Sequence, residues 1–180
     1  DIARDAMTDI TERFGERFID AYDVEQSLEE VGPYQNVFLQ EIEAMNKVTV
    51  EMKRSLHELD LGFKGELTMS ETMEDLQKAL IMDRIPDKWK GMSWPSRRTL
   101  TPWLFDMARR LDQLVEWTAA PDGIPMVTWL SGLITPQSFL TAICQVSAQK
   151  NQLELDKLMT QVDVKKWETA EQCDAPRSEE

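Results

Sequence analysis

The short stretch Trp129-Leu-Ser-Gly132 has the pattern of a strand-to-helix turn, which in many enzymes carries catalytic or phosphate-binding groups. An apolar run precedes it, glycine breaks the run, and Thr135 and Pro136 match the N-cap and first position of a helix. Such a turn can be a phosphate loop or a nucleophile elbow, but the lysine of the first and the Gly-x-Ser-x-Gly of the second are absent. The sequence therefore favours a packed structural corner, where Gly132 supplies backbone angles that other residues avoid.

The single histidine and the two cysteines are the next residues whose types suggest chemistry. His57 has no second histidine with which to share a metal ion, and Cys144 and Cys173 are not spaced as a pair of zinc ligands. We therefore expect no metal and no cofactor, with His57 on or near the surface of a long helix. The different settings of the cysteines do not indicate a disulfide framework.

Carboxylates are abundant enough to form pairs of the kind that act as general acid and base. Glu41 and Glu43 point to different faces of a helix, so they cannot easily flank one substrate bond. The closeness of Asp60 and Glu66 in the sequence is explained by the abundance of acidic residues alone. Folding could still bring a serine, the histidine and an aspartate together as a catalytic triad, but no serine occupies a nucleophile elbow. We expect no catalytic residue in this sequence.

The longest regular pattern is an apolar stripe whose members recur at alternating intervals of four and three. This spacing predicts one face of an α-helix that packs against neighbouring helices. About three heptads are marginal for an autonomous coiled coil, so the stripe is predicted to be core rather than a self-association seam. Its members are Phe38, Ile42, Met45, Thr49, Met52, Leu56 and Leu59.

The same spacing predicts four more helices. They cover residues 3–19, a segment that ends at Ile81, residues 102–118 and residues 136–150. The fold class is therefore mostly α, with about five helices in an irregular bundle and one short extended segment near residues 126–130.

Local signals refine three of these segments. Thr68 and Glu71 match a capping box at the start of the helix that ends at Ile81, and Ser70 is an alternative cap. Arg109 and Arg110 are predicted to lie off the apolar side of the helix over residues 102–118. Residues 20–32 are predicted to be a connection with a short helical turn near residues 24–28.

Residues 83–99 contain two tryptophans among basic residues and are predicted to form an irregular connection pinned by its aromatic side chains. A basic segment with tryptophans can bind nucleic acid by base stacking. The surrounding charge has the wrong sign for that role, so contact with an acidic protein neighbour is favoured.

The six tryptophans divide by their surroundings in the sequence. Trp103, Trp117 and Trp129 accompany apolar stripes and are predicted to anchor the core or a domain interface. If Trp129 is fully buried, its replacement by alanine should cost roughly 3–5 kcal/mol. The remaining three, Trp89, Trp94 and Trp167, are better candidates for contacts outside this sequence.

Composition narrows the function classes. The 180 residues are long enough for one domain with a core, and 20 basic against 33 acidic residues give a net charge of −13. This charge disfavours binding to nucleic acid, to an acidic membrane surface or directly to the acidic face of a microtubule. No apolar run approaches the roughly 18 residues of a membrane helix. Because the sequence begins at Asp1, we expect a fragment, soluble and intracellular, without a signal peptide.

Ordered blocks carry a resemblance to a known family. Trp129-Leu-Ser-Gly, followed by Pro136-Gln-Ser-Phe-Leu-Thr-Ala, resembles the C-terminal region of dynein heavy chains. Over about residues 20–176, further blocks follow in the family's order: Pro33-Tyr-Gln-Asn-Val-Phe-Leu-Gln-Glu, Arg54-Ser-Leu-His-Glu-Leu, Lys64-Gly-Glu-Leu-Thr-Met-Ser, Ile85-Pro-Asp-Lys-Trp and Leu155-Asp-Lys-Leu. The Pro33-Tyr-Gln and Leu59-Asp-Leu-Gly-Phe-Lys-Gly blocks look most like axonemal, outer-arm β-type heavy chains.

The resemblance implies a component of a motor rather than an enzyme in its own right. In that family six AAA+ modules form a ring, and the C-terminal region lies against it and influences how ATP hydrolysis is coupled to force. The ATP sites and the microtubule-binding stalk lie elsewhere in the heavy chain, so no catalytic residue can be carried over. The implied partners are the AAA+ modules of the same polypeptide, with microtubules reached only through the parent motor of a ciliary or flagellar axoneme.

The resemblance also has limits. Leu133-Ile134-Thr135 stands where the family often has two aromatic residues and asparagine. The family continues into a β-rich second half that this sequence lacks. We expect residues 1–165 to be the helical part of the dynein C-terminal domain and residues 166–180 to be a disordered, polar acidic tail. The residues expected to form structural core or an interface are Phe38, Ile42, Met45, Met52, Leu56, Trp129, Ser131, Gly132, Pro136, Phe139 and Leu140.

Three classes of function remain at this point. The first is a non-catalytic structural and regulatory piece of a dynein motor. The second is a helical adaptor that binds a partner helix and belongs to no motor. The third is a hydrolase, for which ATP turnover by the pure protein would be the test.

Overall fold

The computed structural model describes residues 2–167 and 169. Within this part of the protein there are seven α-helices and two short 3-10 turns, and no strand. The helices are α1 (Ile2–Phe14), α2 (Ala21–Ser27), α3 (Pro33–Lys64), α4 (Glu71–Ile81), α5 (Asp87–Met92), α6 (Leu100–Thr118) and α7 (Pro136–Asn151), and the 3-10 turns are Leu130–Gly132 and Leu155–Lys157. The prediction of a mostly α fold is confirmed.

The long helix α3 is the centre of the bundle, and the other six helices pack on it or on one another around it. Its apolar stripe is buried from Phe38 to Leu59. Burying each large apolar side chain contributes roughly 1.5–3 kcal/mol relative to exposure, so the stripe accounts for much of the stability of the bundle. The helix ends at Lys64 and is capped by Gly65, whose φ of 76° is a left-handed conformation that favours glycine.

The segment between α1 and α2 is fixed by a polar residue of α3. The Asn46 side chain accepts a hydrogen bond from the Ile19 backbone N–H at 3.3 Å and donates one to its carbonyl oxygen at 2.7 Å. The predicted helix over residues 3–19 is too long, because α1 ends at Phe14 and the chain turns at residues 15–16. As a result Phe18, which the spacing placed on the apolar stripe, is 54% exposed.

The N-cap of α4 is Ser70, the alternative to Thr68 that the sequence offered, and its hydroxyl accepts a hydrogen bond from the Met73 backbone N–H. The segment over residues 83–99, predicted to be irregular, contains the six-residue helix α5.

Three tryptophans stack in a column that joins α5 to α6. The rings of Trp94 and Trp103 lie 5.1 Å apart and those of Trp89 and Trp103 lie 6.3 Å apart, centroid to centroid. The prediction that Trp89 and Trp94 make outside contacts is wrong, because they are only 1% and 4% exposed. The helical turn of α5 brings Trp89 inward, and its indole N–H donates to the Ser55 hydroxyl oxygen of α3. Neither ring offers the open face that base stacking needs.

After α7 the described residues have little regular structure. Beyond the 3-10 turn Leu155–Lys157, residues 158–167 form neither helix nor strand, and Val162 and Val164 are almost fully exposed. Of the predicted tail, only Lys166, Trp167 and Thr169 are described, so the prediction for residues 166–180, with Cys173, lies outside the described residues. Among the described helices, none has the length and apolar character needed to cross a membrane.

Candidate interface at the Trp129 corner

The stretch between α6 and α7, residues 126–136, forms a tight corner around one tryptophan ring. Trp129 has extended backbone angles and precedes the 3-10 turn. A Cβ atom on Gly132 would lie 2.3 Å from the Trp129 ring, so no larger residue fits under it. The expectation that Gly132 supplies unusual backbone angles is wrong, since its φ is not positive. Glycine is needed there for space.

A glutamine of α6 holds the backbone of Trp129 in place. The Gln113 side-chain oxygen accepts a hydrogen bond from the Trp129 N–H at 2.7 Å, and its amide nitrogen donates to the Trp129 carbonyl oxygen at 3.3 Å. The two bonds satisfy the Trp129 backbone N–H and carbonyl oxygen, which in a sheet would bond to a neighbouring strand.

A carboxylate of α3 holds the other end of the corner. Glu41 is 2% exposed, and its oxygens accept hydrogen bonds from the Ile134 N–H at 2.6 Å and the Thr135 N–H at 2.7 Å. The Thr135 hydroxyl also donates to this carboxylate, at 2.7 Å, so it does not cap α7. Three donors compensate the cost of removing the charge from water. Glu41 thereby ties α3 directly to the start of α7.

A buried arginine lies at the centre of the corner. The Arg110 guanidinium lies 4.0 Å from the centroid of the Trp94 ring and 5.2 Å from that of Trp129, and it donates to the Leu133 carbonyl oxygen. Burial lowers the pKa of Arg110 to about 10, although the nearby carboxylates of Asp106 and, to a smaller extent, Glu41 oppose the shift. The prediction that Arg110 lies off the packed side of α6 is wrong, because the residue is 5% exposed.

The outer side of the corner presents a different chemistry. Arg109 is exposed, and its guanidinium lies 4.5 Å from the centroid of the Trp129 ring. Just before Trp129 in the sequence, Met126 and Val127 are 73% and 48% exposed. Tryptophan, arginine and methionine are enriched where proteins bind one another. The corner therefore combines a rigid interior with an outward surface suited to protein contact.

The residues that the sequence predicted to form core or an interface lie partly in the core of the bundle and partly in the corner. Those of α3 lie in the core with at most 4% exposure, and Phe139 of α7 lies there with 6%. Trp129, Pro136 and Leu140 are half-buried, Gly132 is buried and Ser131 is exposed. Sequence reasoning missed Glu41, Arg110 and Gln113, which hold the corner together.

Of the side chains weighed for catalysis or metal binding, Glu41 lies in this corner, where it accepts hydrogen bonds, and the histidine and Cys144 lie outside residues 126–136. His57 is exposed on α3, and Cys144 is half-buried on α7 with its sulfur 3.5 Å from the Thr160 hydroxyl oxygen. Within residues 2–167 and 169, no group of three or more histidine, cysteine or acidic side chains is arranged to hold a metal ion.

We expect the substitution Trp129→Ala to cost about 1.5–3 kcal/mol, less than the value for a fully buried tryptophan. The ring is half-buried, so part of its area stays in water in the native state. Its loss also removes the contacts with Arg109 and Arg110, each worth roughly 0.5–2 kcal/mol. Urea unfolding followed by circular dichroism measures the change.

The matched control is Met126→Ala, which removes an exposed side chain from the same corner. We expect it to change the free energy of unfolding by no more than about 0.5 kcal/mol. An unchanged midpoint for Trp129→Ala would show that the ring does not hold the corner together.

Comparison with known proteins gives a consistent result. The sequence profile described as the C-terminal domain of the dynein heavy chain matches residues 1–180. The protein is 44% identical over 171 residues to the ciliary dynein beta chain of Tripneustes gratilla. It is 50% identical over 134 residues to the flagellar outer-arm dynein beta chain of Chlamydomonas reinhardtii, and 42% identical over 171 residues to dynein axonemal heavy chain 17 of Homo sapiens.

These relatives are far longer than this protein. The matched regions cover 95%, 74% and 95% of its sequence, in the same order, but only 4%, 3% and 4% of the relatives. What is shared is thus one domain-sized part of a very large protein.

Proposed function

The protein belongs to the family of C-terminal domains of dynein heavy chains, and from that premise we propose that it is a non-catalytic structural and regulatory part of an axonemal dynein heavy chain. In this proposal residues 1–165 are the helical part of the domain and residues 166–180 a polar tail. The parent protein is a microtubule motor ATPase that works in a cilium or flagellum. Family membership favours this function over an unrelated helical adaptor.

We propose that the domain packs on the AAA+ ring of the same heavy chain through the outer side of the Trp129 corner. The observation that carries this proposal is the exposed surface made by Met126, Val127, the half-buried Trp129 ring and Arg109. Large exposed apolar residues beside tryptophan and arginine are characteristic of interface centres. The buried contacts of Glu41 and Arg110 hold the backbone beneath this surface in place when a ring module exerts force on it.

A rigid corner is a suitable element for transmitting force. Its two ends are tied to α3 and α6 by hydrogen bonds between residues far apart in the sequence, Glu41 with Thr135 and Gln113 with Trp129. Movement of a ring module against the corner would therefore displace the bundle as a whole. On this basis the domain affects the coupling between ATP hydrolysis and movement without contacting ATP.

The test places Arg109→Glu and Met126→Asp together in the heavy chain that includes this domain. Both side chains are exposed, so the domain should still fold. We expect the double substitution to lower microtubule gliding velocity at least twofold while ATP turnover persists. Gliding assays and ATPase assays on the same preparation measure the two quantities.

The matched control is Lys47→Glu with Met159→Asp, which makes the same charge changes at exposed positions outside the corner. Equal gliding velocity and ATP turnover for both double variants would contradict the proposed docking surface. ATP turnover by the purified 180-residue protein itself, persisting through further purification, would contradict the non-catalytic role.

A further inference from the structure

The segment between α1 and α3, residues 18–31, has an apolar outer side as well as an apolar inner side. The inner side packs against the core of the bundle through Ile19, Ala21, Val24 and Leu28. On the outer side Phe18 and Tyr22 are 54% and 66% exposed, and Val31 is 40% exposed. Three large apolar side chains exposed along one short segment form a surface that another molecule can cover. We call these three residues and the exposed acids among them the α2 face.

The two rings of the α2 face lack the cation that covers another exposed ring of this protein. Phe105 on α6 is 57% exposed, and the Arg13 guanidinium lies 5.4 Å from its ring centroid. Among the described residues, no arginine lies over the ring of Phe18 or Tyr22, and neither ring stacks on another aromatic side chain. Phenylalanine and tyrosine rings attract cations to their faces. The α2 face therefore leaves two rings open to the cations of another molecule.

The acids of the α2 face attract cations as well. Between Arg17 and Lys47 the sequence has seven acidic residues and no lysine or arginine. Five of these acids lie in the segment, are exposed, and form no ion pair within the described part of the protein: Asp20, Asp23, Glu25, Glu29 and Glu30. Arg17 is already engaged, since its guanidinium lies 2.7 Å from the Asp112 carboxylate.

The parts of the protein that contact this segment leave its negative charge in excess. The exposed Asp122, in the loop after α6, accepts a hydrogen bond from the Glu29 backbone N–H at 2.9 Å, and residues 119–128 of that loop contain no lysine or arginine. On α3, Lys47 is exposed beside Asn46, so one cation stands against six exposed acids. Because charges are screened over about 8 Å at physiological salt, a ligand on the α2 face responds to these nearby acids.

We propose that the α2 face binds an arginine-rich segment of a protein partner, whose guanidinium groups stack on Phe18 and Tyr22 and pair with the surrounding carboxylates. The open rings and the unpaired acids each select for a cation, and arginine meets both because its planar group stacks on rings and pairs with carboxylates. The same acids repel nucleic acid and an acidic membrane surface. This binding does not depend on the proposed docking to the ring, since the α2 face shares no residue with the outer side of the Trp129 corner.

The test uses the 180-residue protein and a fluorescein-labelled peptide of Arg-Arg-Leu repeats. We expect binding, measured by fluorescence anisotropy, that weakens as salt is raised. A repeat peptide with glutamine in place of arginine should bind at least about tenfold more weakly, because it offers no charge to the acids.

A first pair of variants tests the acids. Glu25→Gln with Glu30→Gln should weaken binding of the arginine peptide at least about fivefold, since it removes two carboxylates of the α2 face. The matched control is Glu66→Gln with Glu71→Gln, which changes the net charge equally at exposed positions outside that face. We expect the control to stay within about twofold of the unsubstituted protein. All four positions are exposed, and circular dichroism verifies that the helices persist.

A second pair of variants tests the rings. Phe18→Ala with Tyr22→Ala should weaken binding at least about fivefold, whereas the exchange Phe18→Tyr with Tyr22→Phe keeps both rings and should stay within about twofold. The proposal is overturned by undetectable binding of the arginine peptide, by equal losses in the two acid variants, or by unchanged binding when both rings are removed.

Discussion

Replacement of Glu41 by alanine is expected to lower the free energy of unfolding by about 3–5 kcal/mol. The carboxylate is 2% exposed and accepts three hydrogen bonds from Ile134 and Thr135. Removing it leaves two backbone N–H groups and one hydroxyl without their acceptor and deprives the buried Arg110 of a nearby negative charge. Guanidinium unfolding measures the loss, and a thermal midpoint lower by about 10 °C should accompany it.

Two further substitutions separate this mechanism from a general loss of charge. Glu43→Ala removes an exposed carboxylate two positions away on α3, and we expect a change within about 0.5 kcal/mol. Glu41→Gln keeps the shape but turns a donor toward one of the three donors, so we expect an intermediate loss of about 1–3 kcal/mol. Equal stabilities for Glu41→Ala and Glu43→Ala would contradict the role assigned to Glu41.

Hydrogen exchange gives this prediction a local readout. In the unsubstituted protein the amide protons of Ile134 and Thr135 are bonded to the carboxylate and should exchange slowly. In Glu41→Ala we expect these two amides to exchange faster under conditions where the core amides of α3 are still protected. Unchanged exchange at both amides would show that the corner does not depend on Glu41.

Replacement of Trp103 by alanine should have a comparable effect, with a loss of about 3–5 kcal/mol. The side chain is 0% exposed and stacks between Trp89 and Trp94. Its removal opens a cavity in the column that joins α5 to α6 and withdraws support from Trp94, on which Arg110 stacks. Denaturant unfolding followed by tryptophan fluorescence and by circular dichroism measures the change with two independent probes.

The control for Trp103 exploits an unusual feature of its environment. The indole N–H is buried and has no hydrogen-bond partner among the described residues. Trp103→Phe therefore loses no hydrogen bond, and we expect a cost below about 2 kcal/mol. Trp167→Ala, at a position 42% exposed on the C-terminal segment, should change stability by less than about 0.5 kcal/mol. Equal losses of unfolding free energy in Trp103→Ala and Trp167→Ala would show that the tryptophan column is not part of the core.

Much of the bundle was predictable because its signals are local. The stripe from Phe38 to Leu59 specifies one helix face through spacing alone, and α3 follows it. Where the backbone leaves a helix is less predictable. α1 ends at Phe14, and Ile19 beyond it bonds to Asn46, a residue 27 positions away, in a contact that no local pattern contains.

The two buried charges inside the Trp129 corner occupy recognisable positions in the apolar stripes of their helices. Glu41 follows Phe38 by three positions and precedes Met45 by four, so it occupies a position on the buried face of α3. Arg110 stands in the same relation to Met107 and Leu114 on α6. A charged residue at a stripe position indicates a buried, partnered charge. Its partners, however, were not identifiable from the spacing.

The amino-acid sequence by itself determined the mostly α fold, the stripe of α3 and the family of this protein, because each of these is recorded in residues close together along the sequence. Only the tertiary structure decided which charges are buried and why Gly132 is a glycine. A carboxylate is stable inside a protein only when donors surround it. The donors to Glu41 come from residues 93 and 94 positions away, and they meet it only after α3, α6 and α7 have packed.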